Sequence, residues 1–152
     1  MKVLTIYSLV FVLGFYALDC SGGKKNGAPK NDAPPPPKTF PLGEYQYTGY
    51  DEGGAKVVEG RLSITSRKGD ELKGTWELKQ TGGPQRIGPQ VGSGDLVGSV
   101  HGTEVALNLN PNINDDNVNL RGKVEGKSYK GTWSYSGFAG VISSGRFEAT
   151  AR

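Results

Sequence analysis

From Pro41 to Arg152 the chain alternates apolar and polar residues with a period of two, in eight separate segments, and shows no 3.6-residue periodicity. A sequence patterned this way can hide its apolar side only as sheet. Glu71 to Lys79 is the clearest segment: Leu72, Gly74, Trp76 and Leu78 share one face, and Glu71, Lys73, Thr75, Glu77 and Lys79 share the other. Ser128 to Tyr135 repeats the pattern with Tyr129, Gly131, Trp133 and Tyr135 inward. The other inward sets are Tyr45/Tyr47/Gly49, Val58/Gly60/Leu62/Ile64, Leu96/Gly98/Val100, Val105/Leu107/Leu109, Val118/Leu120/Gly122/Val124 and Gly145/Phe147/Ala149. Strands are predicted at 44–49, 56–66, 70–80, 94–101, 103–110, 117–125, 127–136 and 144–151. Eight consecutive strands with hairpin-length links predict an all-β, antiparallel up-and-down meander. Closing it as an eight-stranded β-barrel removes the exposed edges, and a β-sandwich is the alternative.

Glycine supports closure. The 24 glycines are about twice the usual share, without the every-third-residue period of collagen. Seven of the eight predicted strands place one on the inward face, and 103–110 does not. Glycine ordinarily weakens a strand, so its recurrence predicts sharp bending of a closing sheet and room for Trp76, Trp133, Tyr129 and Phe147. The word Lys-Gly-Thr-Trp occurs twice, at 73–76 and 130–133, each time after a tight turn. This is a weak internal repeat, one residue out of register in the strands before it.

The N-terminal segment reads as an address. Lys2 precedes a mostly apolar run from Val3 to Leu18, whose sixteen residues would reach about 24 Å as a helix. That falls short of a hydrocarbon core of roughly 30 Å, so 1–19 is expected to be a signal-peptide helix. The run ends at Ala17-Leu18-Asp19-Cys20, and Cys20 is the only cysteine. This arrangement resembles the bacterial lipoproteins, with Leu18 and Asp19 forming a relaxed lipobox. The resemblance implies a diacylated Cys20 as mature N-terminus and a membrane-anchored protein of the cell envelope; ordinary secretion or a periplasmic location is the alternative. Residues 20–38 hold Gly22, Gly23, Gly27, Pro29 and the run Pro34 to Pro37, with almost nothing apolar, and predict a disordered stalk. The domain is expected over 39–152.

The formal charge of +3 belongs to that stalk, where Lys24, Lys25, Lys30 and Lys38 stand against Asp32. Residues 39–152 carry 13 basic and 13 acidic side chains. A neutral domain argues against a nucleic-acid partner. The stalk lysines beside a lipid anchor would favour anionic headgroups.

Links in a meander alternate between two ends. Ser66 to Gly69, His101-Gly102 and Glu125-Gly126 are short and share one end with the start of strand one. Tyr50 to Ala55, Gln80 to Ser93, Asn110 to Asp116 and Ser136 to Ser143 are longer and share the other, which is where binding residues concentrate. Trp76, Trp133, Tyr129 and Tyr47 are candidates to line an apolar ligand site inside the barrel, with core packing as the competing role. Arg86 and Gln90 are polar handles on a glycine-rich loop that is not a phosphate-binding loop, since no Gly-Lys-Ser/Thr follows. Phe138, Val141 and Ile142 are expected either as an exposed contact patch or as a plug. Asn110 to Asn117 is dense in oxygen donors but lacks the spaced Ca²⁺-loop pattern, so no metal and no cofactor is expected. His101, at a short turn, and the adjacent Asp51-Glu52 pair make poor catalytic groups, and no enzyme is expected.

The strand count, the loop arrangement and the Gly-Thr-Trp words resemble the calycin group, which includes lipocalins and avidins. That resemblance implies a barrel and does not itself imply a ligand. Two functions stay open. One is a monomeric, membrane-tethered binding protein for a small apolar or aromatic ligand. The other is an envelope protein-interaction module, an inhibitor or scaffold, with a filled barrel and the loops as its contact surface.

Overall fold

The structure, a computed structural model, describes residues 40–83 and 86–152. Eight strands follow one another: β1 (Gly43–Asp51), β2 (Lys56–Lys68), β3 (Glu71–Gln80), β4 (Gly92–His101), β5 (Glu104–Asn108), β6 (Asp116–Glu125), β7 (Ser128–Gly137) and β8 (Gly140–Ala151). Each pairs antiparallel with its neighbours in chain order, and β8 returns to β1, closing the barrel. A sandwich is thereby excluded. The inward sets read from the alternation form the core, with Tyr47, Val58, Val118, Leu120, Tyr129 and Ala149 wholly buried.

The inward glycines have a steric cause. A Cβ on Gly74 would lie 2.0 Å from the Ser63 carbonyl oxygen of β2, and one on Gly131 would lie 2.0 Å from that of Arg121 on β6. Gly98 and Gly122 meet the Ala106 and Lys130 carbonyls at 2.2 and 2.1 Å, and Gly145 meets that of Tyr50 at 2.0 Å. At these points the neighbouring strand's backbone occupies the space a side chain would need. The sheet coils tightly there, and only glycine lets two strands pass so close. Gly122 and Gly131 are direct cross-strand partners, so β6 and β7 approach through a pair of them.

The repeated word has a structural counterpart. Trp76 stands opposite Gly94 on β4, and Trp133 stands opposite Gly145 on β8. Each indole lies over that glycine and reaches one strand further. Trp76 Nε1 donates to Leu109 O at 2.6 Å, just past β5, and Trp133 Nε1 donates to Tyr50 O on β1 at 2.7 Å. Two tryptophans four strands apart thus brace the barrel by the same construction.

The ends differ as expected, with one correction. Three glycine-first turns close one end, with Gly69, Gly102 and Gly126 at φ of 60°, 64° and 61°, as two-residue type II′ hairpins require. Phe40 seals this end from inside, stacked on Tyr45 at 5.0 Å and edge-on to Tyr129 at 5.3 Å. At the other end, residues 136–143 are not the long loop predicted. They are the tip of a β7–β8 hairpin turning through Phe138-Ala139, with Ser136 opposite Val141 and Gly137 opposite Gly140. Period-two alternation breaks there because the ladder shifts register after Tyr135.

Replacing Gly131 with Ala should cost about 2–3 kcal/mol of stability in urea denaturation, in the range of overpacked cores. Gly102→Ala, with nothing within 4 Å of its Cβ position, should cost only the left-handed backbone penalty of about 1–2 kcal/mol. Equal losses at the two sites would refute the steric account.

Candidate functional site

Four candidate residues, Tyr47, Trp76, Tyr129 and Trp133, come together inside the barrel as a packed core. Their exposures are 0%, 6%, 0% and 1%. A ligand-sized void would leave ring surface that a water-sized sphere could reach, and these rings offer almost none. Phe147 fills the space between Tyr47 and Tyr129, stacked on the first at 5.7 Å and edge-on to the second at 4.7 Å. The indole N–H groups are already spent on backbone carbonyls. Tyr129 Oη donates toward Val105 O and Leu120 O at 3.3 and 3.4 Å. These indole and phenol groups, which might have oriented a ligand, instead tie the wall together.

The plug at the loop-rich end comes from an unexpected segment. In the β3–β4 connection Ile87 is buried, and Gln90 is the one buried polar side chain among the described residues. Tyr47 Oη donates to Gln90 Oε1 at 3.4 Å, and Gln90 Nε2 has no partner. Gly88, at φ 66°, packs so closely on the Tyr135 ring that a Cβ would lie 2.4 Å from it. Ser143 Oγ donates to Arg86 O on the same loop. Although the connection is rich in glycine, Ile87 and Gln90 turn inward and cap the core. Isolated in a polar loop, they carry no periodicity that would mark them as buried.

Arg86 and Phe138, the remaining candidates of this end, are exposed, and Phe138 reaches 96% at the hairpin tip. Val141 and Ile142 are exposed beside it, so of the two expectations for this cluster the patch is observed and the plug is not. Val91 and Ile113 are exposed on other connections at the same end. Tyr135 lies between Asp116 and Arg86. Its hydrogen bond to the Asp116 carboxylate, with partial burial, raises its pKa, and Arg86 opposes that rise. Glu52 Oε1 accepts from Ser144 Oγ at 2.6 Å on the outer side of the hairpin.

The Asn-rich β5–β6 connection uses its amides on itself: Asn110 Nδ2 donates to Asp116 O and Asn117 Nδ2 to Ile113 O. No grouping of His, Cys, Asp and Glu suited to a metal occurs among the described residues. His101 does have a carboxylate beside it, Asp70 at 3.2 Å, which the sequence did not suggest. Both are largely exposed on the short-turn end. The outer wall pairs its own charges: Arg61–Glu77, Lys79–Glu59, Lys123–Glu104 and Lys130–Glu148 are ion pairs between direct cross-strand partners. Cys20 lies outside the described residues. No family model matches the chain, and no curated protein matches its sequence.

Burial raises the phenol pKa of Tyr45 to about 12, and pushes those of Tyr47 and Tyr129 well above the ordinary phenol value. Up to about pH 10 these phenols are protonated in both folded and unfolded chains and add no pH dependence. Above that the unfolded chain alone releases the protons, so stability falls as pH rises from about 10 through 12. Spectrophotometric titration should show that Tyr47 and Tyr129 ionise only as the protein unfolds. Ionisation of both of them in the intact fold would contradict the packing described.

Proposed function

We propose that this protein is a non-catalytic interaction module whose loop-rich end binds another protein of the cell envelope. The observation carrying this reading is the contrast between a barrel with no accessible interior and a hairpin tip that presents Phe138 almost fully to solvent. An exposed aromatic flanked by Val141 and Ile142 has the composition of an interface anchor. Closed strands and paired wall charges hold it in place without competing for partners. The small-ligand reading is disfavoured by the same contrast, because the aromatics it needs already contact one another.

The lipoprotein resemblance supplies the address in this reading. Lipidated Cys20 anchors the stalk, and β1 begins at the short-turn end. The Phe138 end is then free to face away from the anchoring membrane. His101 and Asp70 sit at the short-turn end, both largely exposed.

A photo-crosslinking residue placed at Phe138 should give discrete envelope-protein adducts in cells, whereas one at Lys127 on the opposite end should not. Matching adducts from both positions, or none from Phe138, would count against the proposal. Phe138→Ser should leave the melting temperature within about 2 °C, since an exposed side chain contributes little to stability. Cys20→Ser should release the protein from the membrane fraction; unchanged fractionation would refute lipid anchoring.

A further inference from the structure

Strand β8 outruns one of its two neighbours. It pairs with β7 from Gly140 onward, but its pairing with β1 begins only at Gly145, opposite Asp51. Residues 140–144, Gly-Val-Ile-Ser-Ser, are therefore an overhang whose β1-facing edge continues beyond the barrel wall. Ser144 is joined to Glu52 through its side chain. Gly140, Val141 and Ile142 are exposed. An unpaired strand edge presents N–H and C=O groups that are matched by another extended backbone, repeating at about 3.4 Å per residue. Beside the overhang runs an open groove of about 530 Å³, lined by Glu52, Thr132, Ser134, Val141, Ser144 and Arg146. Strand β4 also overhangs, since its pairing with β5 begins at Val97. Its free segment, however, reads Gly92-Ser93-Gly94-Asp95-Leu96, with Leu96 buried in the core, and glycine and charge blunt such an edge. The β8 overhang instead carries adjacent Val and Ile beside the Phe138 tip.

We infer that the β8 overhang, residues 140–144, is a strand-addition site for an extended segment of the partner protein, with apolar side chains at alternate positions. This deepens the interaction reading and rests on it. Backbone pairing along the overhang supplies register. Val141 and Phe138 supply apolar contact, and the groove between Glu52 and Arg146 receives the side chains that point to the same side.

The test uses the full chain and a synthetic heptapeptide alternating valine with threonine or lysine, followed by amide hydrogen exchange at 140–144. Saturating peptide should slow exchange of edge amides there by about tenfold or more. The same peptide N-methylated along its bonding edge should give no protection. Ile142→Pro should also abolish it, because Ile142 sits at the register shift between β7 and β8, where proline is tolerated. Val141→Lys provides a second block if the proline variant melts early. Equal binding of the N-methylated peptide, protection mapping elsewhere, or no protection would overturn strand addition. So would protection that appears without peptide as protein concentration rises, which would make a second copy the occupant. Crosslinks from Phe138 that persist without peptide protection would overturn this inference alone. Protection without those crosslinks would support strand addition while removing the evidence for an envelope partner.

Discussion

The close passage of neighbouring strand backbones at the inward glycines is the constraint on which the rest of the structure depends. With carbonyl oxygens at 2.0–2.2 Å from the missing Cβ positions of Gly74, Gly98, Gly122, Gly131 and Gly145, the sheet curls tightly enough to close with eight strands. A barrel that tight has a narrow interior. Large rings fill it: Trp133, Tyr45, Tyr47, Tyr129 and Phe147 are among its largest fully buried side chains. The glycines also decide where the tryptophans can lie, since each indole needs a strand without a side chain beneath it to reach a carbonyl two strands away. Curvature, filling and bracing are thus one solution.

Much of the fold was legible because a barrel wall leaves a residue-by-residue record. Each strand buries alternate side chains, and the predicted inward sets coincide with the core along all eight strands. The neutral balance of the domain is legible too, and the structure shows its form as cross-strand ion pairs. These are exposed and screened by solvent, and they serve register and solubility more than stability. Glu59, between Lys56 and Lys79, has its pKa lowered by hydrogen bonds to both lysines.

The loop-rich end was less legible, for a different physical reason. Ile87 and Gln90 are buried by tertiary placement alone, and nothing in a stretch of Gly, Pro and Gln says that it folds inward. Phe138, Val141 and Ile142 pose the reverse problem: three apolar residues near a turn look the same whether they plug a barrel or project from it. Once the β3–β4 connection supplies the plug, the hairpin is left outside. The overhang of β8 past β1 depends on the relative lengths of two hairpins, β1–β2 and β7–β8, at opposite ends of the chain. No local pattern records that difference.

Phe40 has a mechanical consequence. Its ring is seated in the core, and three residues later β1 begins, bonded on one side to β2 and on the other to β8. Tension drawn through the segment preceding Phe40 along the direction of β1 would load two ladders in shear, many bonds at once, before any could peel apart singly. The barrel therefore resists a pull from that side collectively rather than bond by bond.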